Sequence, residues 1–222
     1  MLRRRSVPPE QQVFSLCKDV EVTSSTQITK LLHEVRACTQ CAAHLTEGVR
    51  PILQVGRNAR ILVAGQAPGR KVHASGVPFD DASGARLRTW MGIGSDLFYD
   101  ASKVAILPMG FCYPGTGNSG DLPPRRECAP LWRAHLLAAM PHIELVLAMG
   151  QYAIDWHLPK CAGATLTKTT RNWRDLGPQV LPLPHPSPRN NIWLKANPWF
   201  ALEVVPFLQT RVSAILSQQR TA

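Results

Sequence analysis

Three groups of residues in this chain have types and spacings that suit chemistry. The first is Gly65-Gln66-Ala67-Pro68-Gly69, followed by Gly76-Val77-Pro78-Phe79. Its glycines let the backbone approach a ligand closely, and Pro68 stiffens the turn so that free amides can point at a planar, carbonyl-bearing ring. It is not a phosphate-binding P-loop, because no Gly-Lys-Ser/Thr ending follows. The second is His185-Pro186-Ser187-Pro188-Arg189-Asn190-Asn191-Ile192-Trp193-Leu194-Lys195. Prolines on both sides of Ser187 fix the backbone, while Arg189, Asn190, Asn191 and Lys195 supply phosphate donors and Trp193 an aromatic wedge. The third is a cysteine quartet: Cys38-Thr39-Gln40-Cys41, with Cys112 and Cys128 as a second pair. Four thiolates can hold an iron-sulfur cluster or a structural zinc; four plain buried thiols are the remaining alternative. Cys17 and Cys161 have no matching partners and read as ordinary thiols.

The elements around these groups are legible from periodicity. Four short apolar runs of strand length, Arg60 to Gly65, Val104 to Met109, Ile143 to Gly150 and Val180 to Leu183, are rich in Ile, Val and Leu. Helical stretches are expected over Ser83 to Met91, Ala129 to Met140 and Gln151 to His157, and from Pro198 onward through Phe200, Leu202, Val205, Leu208 and Val212. A short helix over residues 27–36, capped by Ser25 or Thr26, precedes the first cysteine pair. Strands alternating with helices predict a three-layer α/β/α sandwich with a central four-stranded parallel sheet. Ligands then sit beyond the carboxyl ends of the strands, which places the loops after residues 65 and 185 together.

The chain has 222 residues, 45% of them apolar and 18% charged, an ordinary balance for one well-buried domain. Residues 1–24 are polar and basic at the tip and read as a loosely held arm, with the single domain spanning residues 25–222. Twenty-five Lys and Arg against fifteen Asp and Glu leave a formal charge of +10, which favours an anionic partner. No run approaches the roughly 18 to 20 apolar residues of a membrane span, and the N-terminus lacks an apolar signal core. A monomeric protein of the cytoplasm, associated with the nucleoid and not with a membrane, is expected.

Together the two turns resemble the two motifs of the uracil-DNA glycosylase superfamily. Gly65 to Gly69 is similar to the first motif of the iron-sulfur, family 4 enzymes, usually Gly-Glu-Ala-Pro-Gly. Gly76 to Phe79, followed by Trp90-Met91-Gly92-Ile93, and His185 to Asn190 resemble the single-strand-selective monofunctional uracil-DNA glycosylases. The likeness spans roughly residues 30 to 210. It implies a monofunctional glycosylase that flips uracil or another damaged base out of DNA and hydrolyses its N-glycosidic bond. Phe79 would stack on the base, with Gly65, Pro108 and Met109 around it. His185 would donate to the uracil O2, and amides near Gln66 and Ala67 would share the charge that grows there. Arg189 would fill the gap in the duplex, with Ser187 and Pro188 beside it. The cysteine quartet and its flanking prolines resemble the four-iron-cluster ligands of family 4.

Two positions depart from the family pattern. Ala67 stands where several families carry an Asp or Asn that aids water, and Gln66 replaces the family 4 Glu. Asp80, Asp81 and His73 are then the nearest titratable candidates, although Asp81 or Ser83 can equally cap the following helix. The Asn that usually reads uracil at the end of the second strand is missing from Ile106-Leu107-Pro108-Met109-Gly110-Phe111-Cys112. A non-catalytic lesion sensor on the same fold is the alternative reading, and an iron-sulfur redox module a third.

Overall fold

The computed structural model describes residues 25–118, 120–161 and 164–218. The proposed arm over residues 1–24, with Cys17, lies outside them.

A four-stranded parallel sheet forms the centre. Its strands are β1 (Ile61–Ala64), β2 (Val104–Ile106), β5 (Leu145–Met149) and β6 (Val180–Leu183), in the spatial order β2-β1-β5-β6. Ile61 sits opposite Val104 on one side and Leu145 on the other, and Val146 opposite Val180. All four residues of β1 are buried, because helices cover both faces of a parallel sheet. The remaining two strands, β3 (Thr116–Gly117) and β4 (Gly120–Asp121), form a separate antiparallel ribbon.

Alternation along the strands sorts the core into two layers. Ile61, Val63, Val104 and Ile106 pack with Leu87, Trp90, Phe200, Leu208 and Val212. Leu62, Ala105 and Leu107 point the other way, onto Val35, Leu136 and Met140. The three-layer sandwich expected from the sequence is therefore the observed fold. The helices, in chain order, are α1 (Ser25–Arg36), α2 (Arg70–Ser75), α3 (Ala82–Met91), α4 (Ser95–Phe98), α5 (Cys128–Ala138), α6 (Gln151–His157), α7 (Leu166–Arg171), α8 (Asn191–Ala196) and α9 (Val205–Ser217).

Three features were not expected. Helix α2 occupies what reads as loop; it has no apolar periodicity, and Arg50 satisfies its last carbonyls by donating to the His73 and Ala74 oxygens. A π-helical turn at Phe200–Val204 opens the last helix ahead of Pro206. Phe200–Ser217 is also long and apolar enough to cross a membrane, contrary to the expectation that no segment was. Its Phe200, Val204, Leu208, Val212 and Ile215 are instead buried in this fold.

A buried cation holds the end of β2. Arg133, fully buried on α5, donates to the Leu107 and Pro108 carbonyls at 2.7 and 2.9 Å, and its other nitrogen meets His157 Nε2 at 2.7 Å. Burial lowers the Arg133 pKa to about 10, so it stays charged at neutral pH. Burial and that charge push His157 down to about 3, so it is neutral and accepts. Replacing Arg133 by Met strands two carbonyls and is expected to cost about 2–6 kcal/mol in urea unfolding, at roughly 1–3 kcal/mol per orphaned group. The His157 titration, followed by NMR, should rise in the same variant.

Candidate active site

The turn after β1 ends in a residue under strain. Phe79 has φ 57°, a left-handed conformation that an aromatic side chain rarely adopts. Gly84 makes it possible: a Cβ there would lie 1.8 Å from the Phe79 carbonyl oxygen, so only glycine lets α3 press against this turn. Asp81 starts the helix, its Oδ1 accepting from Gly84 N at 2.9 Å. The Phe79 ring is braced edge-on by Phe98, with centroids 6.1 Å apart, and passes over Gly65.

His185 follows β6 and its chemistry is set by its own loop. Ser187 N–H donates to His185 Nδ1 at 3.3 Å, so the neutral ring carries its proton on Nε2. Burial lowers the imidazole pKa, against the opposing pull of Asp81 and Asp121. Asn190 Nδ2 donates to the His185 carbonyl at 2.7 Å. Arg86, from α3, donates to Ser187 O at 3.1 Å and Asn191 Oδ1 at 2.8 Å, tying this loop to the helix that Phe79 leads into.

The two turns meet in one cavity of about 430 Å³. Gly65, Gln66, Ala67, Pro68 and Gly69 form one wall, Phe79 and Pro108 another, and His185 with Ser187, Pro188, Arg189 and Asn190 a third. The His185 and Phe79 rings are nearly parallel, 23° between planes and 6.5 Å between centroids. A family model described as the uracil DNA glycosylase superfamily matches residues 53–209, a stretch that holds both turns and the whole sheet. The chain belongs to the uracil DNA glycosylase superfamily.

Several residues singled out in the sequence of this glycosylase-superfamily chain have other work. Asp81 lines the cavity but is engaged as the cap of α3. His73 is not on the cavity wall; its Nε2 meets Glu47 O at 3.0 Å and its ring packs near Tyr113, because α2 turns it away. Met109 is buried among Ala129, Ala148 and Ile154 and does not line the cavity, since the chain alternates faces after Pro108. Trp193 is no wedge: its Nε1 donates to Thr167 Oγ1 at 2.7 Å and its ring packs against Trp199 and Phe200. The neighbouring Ile192 is the outward residue, 82% exposed. Ser187 Oγ accepts from Arg189 N, and Asn190 and Asn191 brace the loop from within, so these three are structural before they are phosphate donors. Lys195 is exposed.

Other site residues escaped sequence reasoning. Asp121 and Leu122, at the end of the β3–β4 ribbon, line the same cavity as His185, and so does Lys71 of α2. Gln66 Nε2 donates to Leu122 O at 3.3 Å, joining the first turn to the ribbon. The Arg189 guanidinium lies on Gly120, where a Cβ would fall 1.8 Å from its Nη1. A glycine-bounded hairpin with an Asp at its end was the available signal.

The quartet Cys38, Cys41, Cys112 and Cys128 lines one small cavity with Trp132 and Arg125. Trp132 Nε1 donates to Cys38 Sγ and Phe111 N to Cys128 Sγ, both at 3.4 Å. Burial raises the Cys41 and Cys112 thiols and pushes Cys128 up to about 12. Among the described residues no three His, Cys, Asp or Glu side chains form a ready metal-binding group. Cys161 is a free thiol.

Gly84→Ala should drive Phe79 out of its left-handed turn, costing about 1–3 kcal/mol of stability by overpacking, read by urea unfolding. Followed by NMR, His185 should titrate below the ordinary histidine range, because burial disfavours the charged ring; Asp81→Asn, which removes a charge that raises this pKa, should move the titration lower still.

Proposed function

We propose that the chain is a monofunctional DNA N-glycosylase that hydrolyses the bond between a flipped uracil, or a related damaged base, and its deoxyribose, leaving an abasic site. The meeting of the residue 65 and residue 185 turns around one cavity, with Phe79 between them, carries this reading. As the glycosidic bond breaks, the sugar becomes cation-like and the base takes the electron pair as an anion. Phe79 supplies a face on which a planar base rests. His185 Nε2–H, with its other nitrogen engaged by Ser187 N–H, is a fixed donor for an anionic base carbonyl. Pro108 supplies no donor to read the Watson–Crick edge, which supports a tolerance for other deaminated or oxidised bases. The net charge of +10 supports a DNA partner.

Resemblance to family 4 and the gathering of four cysteines at one cavity support a four-iron cluster there, with zinc as the alternative. The donor types suit such a cluster, with four sulfurs on one cavity, two of them receiving N–H bonds, and a metal charge would offset the effect of burial on the thiols; the four side chains do not stand in a ready metal-binding arrangement. Such a cluster would tie the segment after α1 to the loop ahead of α5; its chemistry there is structural.

Ala67, Gln66 and Pro108 favour a second reading, a lesion sensor that binds the abasic product without making it. An oligonucleotide screen decides between the two. Uracil release, seen as strand breakage only after alkali, supports the glycosylase, and breakage without alkali would point to lyase chemistry at Lys71. Tight binding of abasic DNA with no release of any base supports the sensor. His185→Ala should lower the single-turnover rate by about 10²-fold or more; an unchanged rate refutes its role. Anaerobically purified protein should be brown, absorbing broadly near ~400 nm, and a colourless, iron-free preparation removes the cluster.

A further inference from the structure

The cavity is well furnished to receive the negative charge of a leaving base, and poorly furnished by its two motifs to deal with water. The Ala67 side chain has no polar atom. Gln66 carries an amide that is spent on Leu122 O. Asp81 is engaged as a helix cap, and His73 faces Glu47 and Tyr113. Hydrolysis still requires that something accept a proton from the attacking water.

The ribbon between the second pair of cysteines brings in a carboxylate that neither motif contains. Thr116 pairs with Asp121 and Gly117 with Gly120. The hairpin is fixed from several directions. Leu122 N donates to Gly115 O at 2.9 Å, Gln66 reaches Leu122 O, and Arg70 reaches Thr116 Oγ1 at 3.4 Å. Arg189 covers Gly120. Held this way, Asp121 Oδ2 lies 3.5 Å from the point where a Cβ of Gly69 would be, directly over the first turn. Asp121 lines the same cavity as His185 and is electrostatically coupled to it, while its own side chain stays exposed to solvent. An exposed carboxylate on the cavity wall is reachable by water and suited to face a sugar that becomes positive.

We propose that Asp121 is the catalytic base of the glycosidic cleavage, replacing the water-directing residue that the first motif lacks. This rests on the glycosylase reading above. The C1′–N bond breaks and its electron pair leaves with the base, whose carbonyl oxygen is held by His185 Nε2–H. The water oxygen then forms a bond to C1′ and its proton passes to the Asp121 carboxylate, which returns it to solvent or to the released base. One water is consumed, giving the free base and the abasic sugar. A carboxylate here also repels nearby phosphates, so its role in catalysis and its effect on DNA affinity have opposite signs.

The test uses the full-length protein, a uracil-containing duplex under single-turnover conditions, and equilibrium binding to a duplex with a tetrahydrofuran abasic analogue. Asp121→Asn should slow base release by about 10²-fold, the usual worth of a general base, with abasic affinity unchanged or higher. Added formate should restore part of the rate of Asp121→Ala. A rate for Asp121→Asn within about twofold of the unsubstituted protein would overturn the proposal and leave the glycosylase reading standing. So would parallel loss of activity and abasic affinity, which would make Asp121 a structural contact. Failure of the unsubstituted protein to release any base would overturn both.

Discussion

One backbone amide aims at one imidazole nitrogen, and the character of the site follows from that. Ser187 N–H occupies His185 Nδ1, so the ring cannot be protonated there without facing a donor with a donor. Burial acts in the same direction by disfavouring the charged ring. The result is a neutral imidazole whose single N–H is committed to Nε2. Such a group is a donor of fixed direction at neutral pH, suited to meet a charge that appears only as a bond breaks. Prolines 186 and 188, the Asn190 bond to the His185 carbonyl, and the Arg86 clamp all serve to hold that amide where it is.

The sheet makes this local arrangement useful. All four main strands are parallel, so β1 and β6 end at the same edge although β5 lies between them. The chain runs outward from β1 to β2 and then crosses to β5 on the other side, which opens a crevice beyond the strand ends. The residue 65 turn enters that crevice from β1 and the residue 185 turn from β6. Arg133 fixes the end of β2 beneath them. Arg86 and Gly84 then couple the two turns through a single helix, one by hydrogen bonds to the loop and the other by allowing Phe79 its strained backbone.

What the sequence makes legible and what it hides have physical causes. Val180–Leu183 and Gln151–His157 have the bounds expected of them, because burial on both faces and a capless short helix leave their pattern undisturbed. The two turns were readable because glycine and proline signal backbone geometry directly. Asp121 was not, since it reaches the site on a ribbon of two-residue strands that is contacted by Gln66, Arg70 and Arg189, all distant in sequence. Trp193 departs from its expected place for the opposite reason. An aromatic in a basic loop suits a DNA wedge, but its position on α8 turns it toward Phe200 and leaves Ile192 outside. The resemblance puts Met109 around the base, whereas the strand stops at Ile106, the chain changes face, and Met109 is buried among Ala129, Ala148 and Ile154.

The account depends on one base occupying the space between the two turns. A crystal structure of the protein with abasic duplex DNA and free uracil measures this directly. The base should lie on the Phe79 ring with O2 about 2.7–3.1 Å from His185 Nε2, a hydrogen-bond distance. Uracil bound elsewhere, or His185 presenting Nδ1 to it, would contradict the account.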